Sequence, residues 1–161
     1  MVIVQLWRGR EMSQGMAEKF VQWPADIDFG LLGDLIGYAI RRAQIGIYKD
    51  FDRSVTGLTP PLFAALILID VNPGINQSRL GEVMGINRAA VMALLDRLTA
   101  LKLVRRGPSA TDKRANTLQL TDLGQKRRAV ASAEVRAHDA RIAQNLTAAE
   151  LKTLRRLLKK F

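Results

Sequence analysis

The chain has 161 residues, 48% of them hydrophobic and 6% aromatic, with 25 Lys and Arg against 15 Asp and Glu for a formal charge of +10. That length suits one compact domain or two small lobes sharing a core, and the low aromatic content favours aliphatic helix packing. Cysteine is absent and His138 is the one histidine, which excludes disulfides, thiol redox chemistry and Cys- or His-rich metal sites.

No nucleophile–base pair stands out either, so an enzyme and a resident cofactor are not expected. The basic balance points instead to a polyanionic partner, nucleic acid above all. The opening "MVIVQLWRGREMSQGM" carries its charges after a short apolar run, the reverse of a signal peptide. No stretch approaches the ~20 apolar residues of a membrane span. A cytoplasmic setting without a membrane partner is therefore expected, with residues 1–24 read as an N-terminal leader.

From Asp26 to about Phe51, helical spacing links Phe29, Leu32, Ile36, Ile40, Ala43 and Ile47. This predicts a first helix capped by Asp26 or Asp28. Gly30, Gly33, Gly37 and Gly46 weaken its intrinsic propensity, so packing must hold it. In "LTPPLFAALILIDVNPG", Thr59 is the expected N-cap and Pro60 the first-turn proline, and Asn72-Pro73-Gly74 breaks the helix after Asp70.

"INQSRLGEVMGIN" predicts a short helix capped by Asn76, with Gly85 at the turn and Asn87 capping the next. The next helix aligns Val91, Leu94, Leu95, Leu98 and Leu101 on one face. Two helices about a tight glycine turn form a helix-turn-helix candidate. Val104 to Arg106, the turn "GPSATDKR" and the alternating "ANTLQL" then predict a hairpin, which in this place is a wing. Thr121 caps a further helix running towards Asn145, where His138 reads as a surface residue. Thr147 and Glu150 make a capping box for a last helix striped by Leu151, Leu154, Leu157 and Leu158.

This order, with "DRLTALKLVRRGPSATDKRANTLQLTDLG" and "NQSRLGEVMGINRAAV", resembles the MarR family of winged-helix transcription factors over roughly residues 29–161. The resemblance rests on Asp112 and Arg114 as the Asp-x-Arg of the wing and on the Leu-Thr-x-x-Gly run from Leu120 to Gly124. It implies a mainly α fold with a small β wing. Residues 56–121 would form the winged helix-turn-helix lobe, and 25–55 with 122–161 the dimerisation helices of one MarR-like domain, 25–161. It also implies a homodimer on a pseudo-palindromic operator in double-stranded DNA, acting as a repressor released by a small, aromatic or phenolic effector.

On that reading the recognition helix offers Asn87, Arg88, Ala89, Ala90 and Met92 to the major groove. Ala89 and Ala90 stand where the family often has Ser or Thr. Direct readout therefore falls to Arg88, with Asn87 mainly capping. Arg114 suits a narrow minor groove, oriented by Asp112, with Lys113 on a phosphate. Ser78, Arg79, Arg97, Arg105 and Arg106 are candidate phosphate contacts. Lys126, Arg127 and Arg128 either flank the DNA or are solvated. Lys102 replaces the glycine usual after the recognition helix. The expected effector residues are Ile36, Tyr38, Ile40, Arg41, Arg42, Tyr48 and Leu66, on helices that would border a pocket; most of the apolar and aromatic ones fit a core position equally. The competing function is an architectural winged-helix protein with little sequence preference, which the bland recognition face would suit.

Overall fold

Apolar spacing and caps divide the chain into short helices around one small hairpin, and a computed structural model describes residues 23–108 and 116–161. A 3-10 turn at Gly30–Asp34 leads into α1 (Ile36–Ser54), α2 (Pro60–Val71), α3 (Gln77–Met84) and α4 (Arg88–Ala100). Strands β1 (Val104–Pro108) and β2 (Asn116–Leu120) follow, then α5 (Asp122–Ala143) and α6 (Ala148–Leu158).

The first helix begins later than the sequence pattern predicts. Gly30 takes φ +48 and Leu35 is extended, so the apolar repeat from Phe29 is split between a 3-10 turn and α1. Asp28 caps only the turn, its Oδ1 accepting from the Gly30 N–H at 2.8 Å. Elsewhere the punctuation acts where expected. Asn76, Asn87, Thr121 and Thr147 each accept an N–H of the first helical turn, and Glu150 completes the capping box. Thr59 holds the N-cap position of α2 without a side-chain cap bond, the first turn starting on Pro60.

The core joins Leu62, Leu66 and Ile69 of α2, Leu80 of α3, the Val91–Leu94–Leu95–Leu98 face of α4 and Val104 with Leu118 of the hairpin. Phe51 and Val55 close it from the end of α1, and Ala131 from α5. Gly81 lets α3 and α4 approach: a Cβ there would stand 2.8 Å from Val91 Cγ2. At Gly124 a Cβ would collide with the Leu103 carbonyl, which gives the Leu-Thr-x-x-Gly run its physical reason.

The hairpin is antiparallel, pairing Val104 with Leu120 and Arg106 with Leu118. In the alternating "ANTLQL" Thr117 falls on the face opposite Leu118 and Leu120, yet it is buried. The cause is a third short segment: Asn76 bridges to Thr117, and the Leu118 N–H donates to the Ile75 carbonyl at 2.9 Å. By contrast, α6 buries none of its residues. Leu154, Leu157, Leu158 and Phe161 are exposed, as are Ile36 and Ile40 of α1.

Candidate nucleic-acid interface

Capping at Asn87 decides where the recognition helix starts and hence what it shows. Its Oδ1 accepts the Ala90 N–H at 2.9 Å, so the side chain is engaged with its own helix end. Val91, Leu94, Leu95 and Leu98 turn inward, which leaves Arg88, Ala89, Ala90, Met92 and Arg97 exposed. Ser78 and Arg79 are exposed on α3, where Arg79 Nη1 donates to Glu82 at 2.6 Å.

Arg105 and Arg106 project from β1, both exposed. Arg106 Nη2 lies 3.4 Å from Asp96 of α4. Asp112, Lys113 and Arg114 fall outside the described residues. The Lys102 departure is accommodated at a cost. Lys102 takes φ +57, the Lys102 N–H donates to Thr99 O at 2.8 Å and the Leu103 N–H to Leu98 O at 3.0 Å. This is the reciprocal hydrogen-bond pair that usually places glycine at a helix end.

The basic run at the start of α5 serves mainly the fold. Arg127 donates to the Thr56 carbonyl and pairs with Glu134 at 3.0 Å, while Arg128 pairs with Asp70 at 3.2 Å. Of the three, Lys126 alone is exposed.

His138 contradicts its expected surface place. It is 5% exposed, its Nδ1 lies 2.6 Å from Asp50 Oδ2, and its ring meets Phe51 edge-on. Arg141 grips the same carboxylate through Nε at 3.3 Å and Nη2 at 2.9 Å. Burial works against the Asp50 charge, but hydrogen bonds from Arg141 and His138, with their Coulombic attraction, outweigh it and hold the carboxyl below its ordinary 3.8. These residues lie about ninety positions apart in sequence, so no local pattern could reveal the clamp between α1 and α5.

The expected effector residues do not converge on one cavity within the chain. Ile36, Ile40, Arg41 and Tyr48 are exposed along α1, and Tyr48 receives a hydrogen bond from Gln44 at 3.2 Å. Tyr38 is half-buried beside Trp23 and Phe29. The Arg42 guanidinium lies 5.1 Å and 5.2 Å from the ring centres of Trp23 and Phe29, within cation–π range. Leu66, expected beside them, is enclosed in the core. A shallow apolar groove lies instead between α2 and α3, lined by Phe63, Ala64, Ile67, Leu68, Val83 and Met84.

A capped helix pair on a hydrophobic core, followed by a two-stranded hairpin, defines a winged helix-turn-helix protein. Comparison with known proteins gives the family. The model of the MarR family matches residues 56–115. A putative transcriptional regulatory protein for the hcr operon of Thauera aromatica is 32% identical over 139 residues, covering 84% of each chain. The transcriptional repressor CouR, solved bound to a 23-mer DNA duplex, is 35% identical with a TM-score of 0.79, over 84% of this chain and 98% of CouR. CouR bound to p-coumaroyl-CoA superposes with a TM-score of 0.77 at 34% identity, over 83% of this chain and 96% of CouR. The chain belongs to the MarR family and is a transcriptional regulator. Among the described residues no helix is long and apolar enough to cross a membrane.

Proposed function

We propose that the chain is a homodimeric repressor that binds a pseudo-palindromic operator and leaves it when an aromatic acyl-CoA thioester, or the acid it derives from, is bound. The observation that carries the DNA-binding half is the exposed α4 face, with Arg88 at its start, set beside the basic strand β1. A helix end of this kind meets base edges in the major groove while neighbouring cations hold phosphates.

Within that reading Arg88 reads a base, Ala89, Ala90 and Met92 supply apolar contacts, Ser78, Arg79 and Arg97 hold the backbone, and Arg106 reaches the DNA from beside α4. Asp112, Lys113 and Arg114 also serve DNA binding, Arg114 by reading the minor groove. The apolar faces left bare on α1 and α6 support pairing of two chains through residues 25–55 and 122–161. The repressor role draws on CouR, and so does the ligand class, from its complex with p-coumaroyl-CoA. Exposed Ile36, Ile40 and Tyr48 suit an aromatic ring, and Arg41 and Arg42 suit phosphates of the nucleotide moiety.

Titrating p-coumaroyl-CoA, free p-coumarate and free coenzyme A into the protein–DNA complex tests the ligand half. Release by the thioester at micromolar concentration supports the class. Release by the free acid alone would confine recognition to the ring, and release by neither would remove both.

A further inference from the structure

The β1–β2 register puts Val104, Arg106, Leu118 and Leu120 on one face of the hairpin, and Arg105 with Gln119 on the other. Val104 and Leu118 are buried on the first face and Leu120 is half-buried. Arg106 therefore occupies a core-facing strand position, where alternation calls for an apolar residue. Its guanidinium emerges beside α4, and the side chain remains 43% exposed. There it meets Asp96, 3.4 Å away. Asp96 stands one turn beyond Met92 and two beyond Arg88, on the outward ridge that also carries Ala89 and Ala93.

An exposed ion pair contributes only ~0–1 kcal/mol to stability. A carboxylate on a surface turned towards DNA also repels phosphates. Neither effect accounts for Asp96 on this ridge; holding Arg106 does. We propose that Asp96 is a positioning residue for DNA binding. Its carboxylate holds Arg106 over the outer face of α4, so that the wing strand lends this helix the guanidinium that Ala89, Ala90 and Ala93 lack. This rests on the DNA-binding reading above and names a further residue of the same site.

The test is a comparison of Asp96→Ala, Arg106→Ala, the double variant and Asp96→Glu. Each is titrated with the duplex recovered by selection from genomic fragments and with a scrambled duplex of equal length. Simple loss of a negative charge would tighten binding to both duplexes. Positioning predicts the opposite sign on the selected duplex: Asp96→Ala weakens it about fivefold, the double variant is no weaker than Arg106→Ala, and Asp96→Glu recovers most of the loss. On the scrambled duplex Asp96→Ala binds as well as wild type or better. Equal or tighter binding of Asp96→Ala to the selected duplex, or additive losses in the double variant, would overturn the proposal alone. Selection that recovers no preferred duplex, or wild-type binding equally tight to both duplexes, would overturn the sequence-specific DNA-binding reading and this proposal with it.

Discussion

At the scale of single residues, backbone geometry explains two positions that hydropathy does not address. Lys102 holds a left-handed conformation at the C-terminus of α4, which costs a residue with a Cβ roughly 1 kcal/mol. Lys102→Gly is expected to raise unfolding free energy by about 0.5–1 kcal/mol in urea titration, the greater chain entropy of glycine offsetting part of the relief. No gain would mean the turn relaxes around lysine. Gly124→Ala is expected to destabilise by about 1–3 kcal/mol, because its methyl group would meet the Leu103 carbonyl. The Lys102 departure was legible in the sequence as a missing glycine; the enclosure of His138 was not. Its burial depends on α1 and α5 coming together, and single-residue hydropathy is silent on that.

At the scale of elements, the long α5 is fastened to its neighbours by charged and polar contacts beside the apolar packing of Ala131 and Val135. Asp50 receives His138 and Arg141, Arg127 reaches the Thr56 carbonyl, and Arg128 pairs with Asp70. Because the Asp50 carboxyl is held below 3.8 in the folded chain, its contribution to stability is fully present above that pH. It is lost as pH falls through the lower folded value. Asp50→Asn is expected to cost about 1–3 kcal/mol at neutral pH, with the gap to wild type closing as pH drops below 3.8. Thermal unfolding across pH reads this directly, and a gap independent of pH would deny the clamp its charge. Helix starts were well marked in the sequence because Asn76, Asn87, Thr121 and Thr147 cap by local chemistry. The start of α1 was not, since its apolar repeat runs unbroken through a 3-10 turn. Thr117 escaped for a related reason: the Ile75–Asn76 segment that buries it is separated by about forty residues.

At the scale of the whole molecule, a basic winged lobe sits beside helices whose apolar faces are left bare in one chain. Charging that face through Leu154→Glu with Leu157→Glu is expected to yield monomers in sedimentation, with the winged lobe still folded. Loss of the second half-site should then weaken binding to a two-site duplex at least about tenfold. The lobe and its wing were readable from the order of elements and the Asp112–Arg114 and Leu120–Gly124 motifs. The Asp96–Arg106 contact was not, because it joins a helix ridge to a strand face that only the hairpin register brings together. On this view the bland recognition helix, helped by the wing, still selects a sequence. The most direct measurement is selection of bound genomic fragments at near-physiological salt, followed by footprinting. A sequence-specific dimer should yield one short pseudo-palindrome with half-sites a helical turn apart, surviving salt that removes bulk DNA binding. A continuous, salt-sensitive spread with no preferred site would contradict it and leave an architectural DNA-binding protein in its place.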